Sequence, residues 1–525
     1  MSQSPKNDPD KVDETARVDE YSVAGDGLSP TATAVDLLSH EHTDPVLDAK
    51  MRLVNNAIDE IGFTGFQWKM FVLSGFGYAV DSLILLVQYI IVTQVALEFH
   101  PSFPNGLTIA AFSGLLVGAI FWGLSADIIG RRIAFNGSLL ICSIFCIICG
   151  AAVNWLMLCS FLALSCFGGG GNLVLDMAVF LEYLPSKHQW LLTAMAAWWG
   201  VGQLITGFFA WAFLSNFSCI DPDVDPTAPP CTRANNMGWR YLFFSCGALV
   251  FVLSILRITV ISLPETPKYL IGRGEDAQVV KTLQMIADKY KRPCSLTVDR
   301  LEDCGVVGSA HAKGRGVSSE IWVHIRGLYA TKRMGLSTTL IWFSWMCIGL
   351  AYPLYNVFLP IFLASVGAKT GTTSAYIQWR NYAIVNVVGV FGPIPAGFLC
   401  ATRIGRRGTM VIGALSTMAF LFGFTTVRTV NENLGFNCAV YFCINIYYGT
   451  LYAYTPEVLP SAHRGTGNGI ALGLNRVAGI LSAVVASVAG NKATAVPIYV
   501  CAALYIVMAA VALALPFEPY GRRSS

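Results

Sequence analysis

Apolar stretches, each about 20 residues or longer, recur along the chain. They lie near 68–96, 107–126, 133–153, 155–181, 190–214 and 239–263, and again near 335–363, 378–401, 409–428, 435–455, 467–489 and 495–515. A helix rises about 1.5 Å per residue, so about 20 such residues cross a hydrocarbon layer about 30 Å thick. In lipid each backbone amide must find a partner inside its own segment, so the stretches are predicted to be helices. The expected fold is an all-α membrane protein with about twelve transmembrane helices in two groups of six. Composition supports this: 54% of the residues are hydrophobic and 13% charged.

The polar intervals set the expected domains. Residues 1–66 are a cytosolic acidic tail (Asp8, Asp10, Asp13, Glu14, Asp19, Glu20) without an early apolar region. The first span is therefore expected to insert as an uncleaved anchor. The tail has a disordered composition up to Asp44. Beyond it Leu47, Met51, Val54, Ile58 and Ile61 recur at helical spacing. They predict an amphipathic helix near 45–62, lying against the membrane or the bundle, or else a solvated linker helix. A first six-helix bundle is expected at 67–263, a basic central loop at 264–333 with a helix around Asp276 to Tyr290, a second bundle at 334–516 and a short tail at 517–525.

Arg131, Arg132, Lys187, Arg403, Arg406, Arg407, Arg464, Arg522 and Arg523 fall in loops on one side, with the central loop. The other side has only Arg233, Lys369, Arg428 and Lys492 in its loops. The bias predicts both termini in the cytosol. The net charge of +3 leaves no basic stripe for nucleic acid. Most of the 15 cysteines lie inside apolar runs, where they act as small hydrophobes. Cys219 and Cys231 flank the polar stretch Asp221 to Pro230 and would bridge if that loop faces an oxidising side. On the same side Asn216-Phe-Ser218 is a glycosylation sequon close to the fifth span.

Two unrelated motifs recur at one offset. Gly130-Arg131-Arg132, in a loop that begins Gly123-Leu-Ser-Ala-Asp127, is matched in the second half by Gly405-Arg406-Arg407. Glu182-Tyr-Leu-Pro185 is matched by Glu457-Val-Leu-Pro460, and the step from 182 to 457 equals the step from 130 to 405. A duplicated six-helix unit explains both, its halves facing each other around a midplane cavity. A loop that served only as a topology signal would need charge but not this spacing.

With these motifs the chain resembles the major facilitator superfamily from about Gln67 to Pro516. Pro264-Glu-Thr-Pro-Lys-Tyr-Leu270 and Gly238-Trp-Arg240 are similar to sugar-porter signatures around the sixth span. Gly75 to Leu83, Phe180 to Pro185 and Tyr454 to Gly467 resemble the synaptic-vesicle-protein-related branch, its fungal members above all. The resemblance implies two pseudo-symmetric six-helix bundles and a cytosolic gate that holds the outward-facing state. That gate would comprise Asp127, Arg131, Arg132, Glu182, Glu265, Arg406, Arg407, Glu457 and Arg464. The chain departs from the pattern at Thr402, where the second loop would carry its Asp, and at Gln189, where the first half would carry the partner of Arg464.

A charged group at mid-bilayer costs about 2.5 to 3.5 kcal/mol on insertion scales, so it marks function by default. Asp81, halfway along the first span with Gln88 on its helix face, is the first candidate for a proton-coupling site. The alternative is a structural hydrogen bond between helices. Asp176, late in the fourth span, suits coupling or gating equally. Asn172 stands where related phosphate transporters carry Asp, which argues against phosphate; the run Gly168 to Gly171 lacks the Lys-Ser/Thr of a nucleotide loop and suits helix packing. Arg476, beside Asn475 in the eleventh span, would bind an anionic substrate or neutralise an acid such as Glu457 or Asp176. Arg380 is expected to snorkel at the interface. Trp199, Gln203 and Thr206, then Trp345, Tyr352 and Asn356, then Asn445, Tyr448 and Tyr452, form polar and aromatic faces that would line a solute cavity or pack between helices.

The expected function is alternating-access import of a small polar or anionic organic solute, coupled to protons, by a monomer in the plasma membrane rather than the vacuole. Facilitative uniport and efflux antiport are the alternatives, although Gly200 to Gly207 lacks the Gly-Pro pair of drug antiporters. A transporter-like nutrient receptor is the alternative from another class. No catalytic, metal or cofactor constellation is expected.

Overall fold

A computed structural model describes residues 45–129, 131–220, 227, 229–260, 265–307, 317–365, 375–427, 429–460, 463–489 and 496–520. The tail before Pro45, most of the loop from Asp221 to Pro230, and Pro264, Lys369, Arg428, Lys492, Arg522 and Arg523 lie outside the described residues.

Among the described residues the regular elements are helices. The first half runs α1 (Pro45–Ile61), α2 (Gly65–Phe99), α3 (Gly106–Ile129), α4 (Arg131–Cys149), α5 (Trp155–Glu182), the short α6 (Trp190–Ala194), α7 (Ala197–Phe217) and α8 (Gly238–Val260). A central segment holds α9 (Pro267–Gly272), α10 (Asp276–Tyr290), α11 (Val298–Glu302) and α12 (Val317–Leu328). The second half runs α13 (Lys332–Ser365), α14 (Ala375–Phe391), α15 (Pro393–Cys400), α16 (Gly405–Phe424), α17 (Val430–Val458), α18 (Arg464–Ala489) and α19 (Val496–Ala514). Ten segments among the described residues are long and apolar enough to cross a membrane, with α6 and α7 counted as one continuous stretch and α14 and α15 as another. The apolar α19 and the 29-residue α17, with Asn433, Asn437 and Asn445 along it, complete twelve spans.

Local chemistry sets several boundaries. Thr64 opens α2 with a capping box: its hydroxyl accepts from the Phe66 amide, and its own amide donates to Gln67 Oε1 at 2.9 Å. Asn154 Oδ1 accepts from the Met157 amide at 2.8 Å and opens α5. At the other end of α2, His100 adopts the left-handed conformation, with φ 45°, and returns its amide to Ala96. Its 35 residues make α2 about 52 Å long, well beyond the hydrocarbon core.

The two halves meet through α3 against α18 and α7 against α14. The offset shared by the two motifs carries α3 onto α14 and α15 and carries α7 onto α18, so one contact maps onto the other. This is the pseudo-twofold relation expected of the repeat. Both Gly-Arg-Arg turns lie at one end of the molecule. A Cβ built on Gly469 of α18 would sit 3.5 Å from Gly123, near the first turn, and Arg406 of the second turn bonds Glu457 just before α18.

Within the first bundle glycines let α3, α4 and α5 touch backbone to backbone. A Cβ at Gly114 or Gly118 would overlap the carbonyls of Ala163 or Phe167, and one at Gly168 would overlap α4. The glycine run of α5 therefore packs helices.

Helix α1 turns its apolar stripe onto protein and leaves Arg52, Asn56 and Glu60 exposed. Its Met51, Val54, Ile58 and Ile61 are buried with Leu270 and Ile271 of α9 and Val279, Leu283 and Ile286 of α10. Lys50 Nζ donates to Asp276 Oδ2 at 2.5 Å inside this small cluster. The apolar stripe that suggested a membrane or bundle surface packs on the central-segment helices and on Tyr183 at the end of α5, and Asp59 accepts from the Ser186 amide.

Candidate functional site

Buried ion pairs organise the spans. The first crosses between the bundles: Arg476 Nη2 of α18 lies 3.2 Å from each carboxylate oxygen of Asp81 on α2, and both side chains are buried. Arg476 thus neutralises an acid, but not either of the two named for it, because Asp176 and Glu457 are held by other arginines. Asp176 accepts from Arg257 Nη2 of α8 at 2.5 Å, inside the first bundle. Glu457 accepts two bonds from Arg406, Nε at 2.8 Å and Nη2 at 2.7 Å, inside the second.

Aromatic side chains surround the crossing pair. The rings of Tyr448 and Tyr452 on α17 are stacked with centroids 5.6 Å apart. Trp199 on α7 meets Tyr448 edge-on at 4.8 Å, Tyr452 at 5.7 Å and Tyr352 at 6.2 Å. Trp345 on α13 meets Tyr452 at 4.5 Å, and Tyr78 on α2 meets it at 5.7 Å. Polar bonds knit the cluster: Gln203 Nε2 donates to Tyr352 Oη at 3.1 Å, Asn475 Nδ2 to the Trp345 carbonyl at 3.1 Å, and Tyr441 Oη to Asn356 Oδ1 at 2.5 Å. Trp199, Gln203 and Tyr352 thus sit with Tyr448, Tyr452, Asn475 and Arg476 around one centre, with walls from both bundles.

Other predicted lining residues are engaged away from that centre. Gln88 Oε1 accepts from Thr108 of α3 at 3.0 Å, and Asn172 Oδ1 accepts from Ser138 of α4 at 2.9 Å. Asn445 donates to the Tyr441 carbonyl of its own helix, as Thr206 does to Gly202. Arg380 is exposed and bonds Asn381.

Asp176 packs against α2 so closely that a Cβ on Gly77 would overlap its carboxylate. Arg257 lies over the Phe135 ring, 3.0 Å from its centroid. Arg257 escaped the sequence reading, although a cation in the run Leu256-Arg257-Ile258 carries the same signal that singled out Asp81.

At the Gly-Arg-Arg end two acids hold main-chain amides. The Arg132 amide donates to Glu265 at 3.3 Å, and the Arg406 and Arg407 amides donate to Glu518 at 2.9 and 3.0 Å. Arg132 and Arg407 are repeat equivalents, so Glu265 and Glu518 play matching parts. Glu518, which was not predicted, lies just beyond the last helix and meets the second turn, which has Thr402 in place of an acid. Arg464 Nη2 donates to the Leu459 carbonyl at 3.3 Å. Buried Glu182 lines a cleft with Lys268 and Gln189. The side chains of Asp127 and Arg131 are outside the described residues. Trp190 of α6 stacks on Phe398 of α15 at 5.2 Å and joins the bundles.

The opposite end has its own clasp. Glu98 of α2 accepts from Arg240 Nη2 at 2.7 Å, Arg240 Nη1 at 3.0 Å, the Trp239 indole at 3.0 Å and Asn236 at 3.2 Å. Cys219 and Cys231 are joined in a disulfide near it, with Cα atoms 5.6 Å apart. Asn216 is exposed at the end of α7 and donates to the Ala212 carbonyl.

Comparisons with known proteins agree with this architecture. A family model described as Major Facilitator Superfamily matches residues 70–483 and 341–524. A siderochrome iron transporter of Ceriporiopsis subvermispora is 44% identical over 498 residues, covering 93% of this chain and 94% of that one. A niacin transporter of Acinetobacter baylyi is 26% identical over 435 residues, covering 82% and 88%. Synaptic vesicle 2-related proteins are also among the relatives. The solved proton:xylose symporter XylE shares the fold, with a TM-score of 0.61 at 16% identity, covering 88% of this chain and 98% of that one.

Proposed function

Because the chain belongs to the major facilitator superfamily, whose members are transporters and not enzymes, we propose that it imports a small organic anion together with a proton by alternating access. The observation that carries this reading is the Asp81–Arg476 pair, which ties one bundle to the other in the middle of the spans. With Asp81 ionised the pair is neutral and Arg476 is occupied. When Asp81 takes up a proton, Arg476 becomes an uncompensated cation in a low-dielectric site, and a substrate carboxylate restores neutrality. Loss of the anion on the other side lets Asp81 release its proton and pair again. One proton accompanies one anion, and the cycle moves no net charge.

The rest of the molecule fits import into the cytosol across the plasma membrane by a monomer. The arginine-rich turns are assigned to the cytosol by charge bias. The Cys219–Cys231 loop, at the other end, suits the oxidising side. The niacin transporter among the relatives accords with a small carboxylate as cargo. The siderochrome iron transporter favours a second reading, in which an anionic ferric chelate meets the same arginine.

The test is uptake by proteoliposomes of a panel of labelled carboxylates and a ferric hydroxamate at two external pH values. Uptake should rise with an inward proton gradient and vanish when a protonophore collapses it. Asp81→Asn should abolish the pH dependence; a pH dependence unchanged in that variant would sink the coupling assignment. Flux that persists without the gradient would assign a facilitative uniporter, and absence of any flux would favour a receptor.

A further inference from the structure

A proton released by Asp81 has a second acid within reach. We propose that Asp176 takes that proton and passes it towards the Gly-Arg-Arg end inside the first bundle, by a route separate from the cargo's; the inference rests on the coupled-anion reading above.

The geometry starts at Gly77 of α2. A Cβ there would overlap Asp176 Oδ2, and that buried oxygen has no hydrogen-bond partner among the described residues. Gly77 precedes Asp81 by one helical turn, so the two positions share a face, with Cβ sites about 5–6 Å apart. Helical side chains tilt towards the start of their helix, which brings the Asp81 carboxyl towards Gly77. Two hydrogen bonds through a single hydroxyl or water, at about 2.8 Å each, cover such a gap. The ionisable groups acting on Asp176 are Arg257 of α8 and Asp81, and both acids act on the buried hydroxyl of Tyr78.

The step has a direction. Helix α2 begins beside the end of α5, where Gln67 Nε2 donates to the Tyr183 carbonyl at 3.1 Å, and Gly77 is nearer that beginning than Asp81. Asp176 precedes Glu182 on α5 by about 9 Å of helix. Glu182 lines a polar cleft with Asn55, Asp59 and Lys268.

Arg257 lets Asp176 hold a proton briefly. It neutralises the ionised acid through Nη2, and when the acid is protonated the guanidinium still has the Phe135 ring of α4 beneath it, 3.0 Å from the centroid. The transfer balances: the Asp81 O–H bond breaks as Arg476 pairs with Asp81 again, and an O–H bond forms at Asp176 Oδ2. Loss of that proton to water restores the Asp176–Arg257 pair. Helices α2, α4, α5 and α8 supply these groups and all belong to the first bundle, whereas the cargo lies between the bundles.

The test titrates the full chain, reconstituted in lipid, with acid as the only probe, and reads the carboxyl C=O stretch by infrared difference spectroscopy. The wild-type protein should show an Asp81 component, lost in Asp81→Asn, and an Asp176 component, lost in Asp176→Asn/Arg257→Gln, a double variant that strands neither charge. Each loss should move the midpoint of the component that remains. No Asp176 component, or midpoints indifferent to one another's removal, would overturn the relay and leave the Asp81–Arg476 reading standing. In proteoliposomes, gradient-driven uptake of labelled acetate, benzoate and succinate by the double variant should fall about tenfold further than gradient-free exchange of the same carboxylate, because exchange returns the carrier loaded and calls for no proton release. Equal losses in the two assays would leave the pair a packing role alone and overturn the relay. Wild-type uptake indifferent to the gradient for all three carboxylates would overturn the coupled-anion reading itself, and the relay with it.

Discussion

A buried carboxylate and a buried guanidinium each depend on the other for tolerable electrostatics, so removing one partner strands the other. Arg476→Gln should therefore lower thermal stability in detergent by a margin equivalent to about 3 kcal/mol or more. Adding Asp81→Asn should recover most of that loss without restoring transport; a double variant no more stable than the single one would show that the pair has no structural weight. Asp81 and Arg476 were legible in the sequence because a charge within an apolar run stands out. Their pairing was not, since 395 residues separate them and nothing in either helix says which faces which. Arg257 and Glu98 stood in plain view by the same rule, yet their roles depend on which helices are neighbours. Glu518 carried no local signal, as it follows the last span in a short polar tail.

Helices are set by shorter-range physics, and their existence was readable throughout. The predicted stretches and the observed spans share their centres and differ at their ends by a few residues, as where the Thr64 cap starts α2 ahead of the apolar run. The interruption between α14 and α15 was not read. Gly392 there approaches α17 so closely that a Cβ would overlap the Phe442 carbonyl, and Pro393 starts a new segment. The interface of α3 with α5 gives a direct test. Gly118→Leu should sharply reduce folded protein, because its side chain would enter the Phe167 backbone. Gly435→Ala on α17, where nothing lies within 4 Å, should be neutral or stabilising by about 0.5–1 kcal/mol. Monodisperse yield and melting temperature of the two variants decide between them. Helix α1 was readable as amphipathic, but its partner was not: periodicity reports that a face is buried and is silent on what buries it.

Across the whole molecule, the offset common to both repeated motifs made the two-bundle plan legible before any coordinates, while the arrangement that closes the Gly-Arg-Arg end depends on contacts between distant segments. A Cβ built on Gly397 of α15 would lie 3.3 Å from the Ala194 Cβ of α6. That is within reach of a disulfide after slight adjustment. The double variant Ala194→Cys/Gly397→Cys should lose uptake under oxidation and regain it with reductant. Uptake indifferent to the crosslink would mean that this end need not part during the cycle. At that end Glu265 and Glu518 grip peptide N–H groups of the two turns. A main-chain donor is present whatever residue occupies the position, unless that residue is proline. These two main-chain latches are therefore blind to side-chain replacement, so alanine scanning of Arg132 and Arg407 would leave the bonds to Glu265 and Glu518 in place.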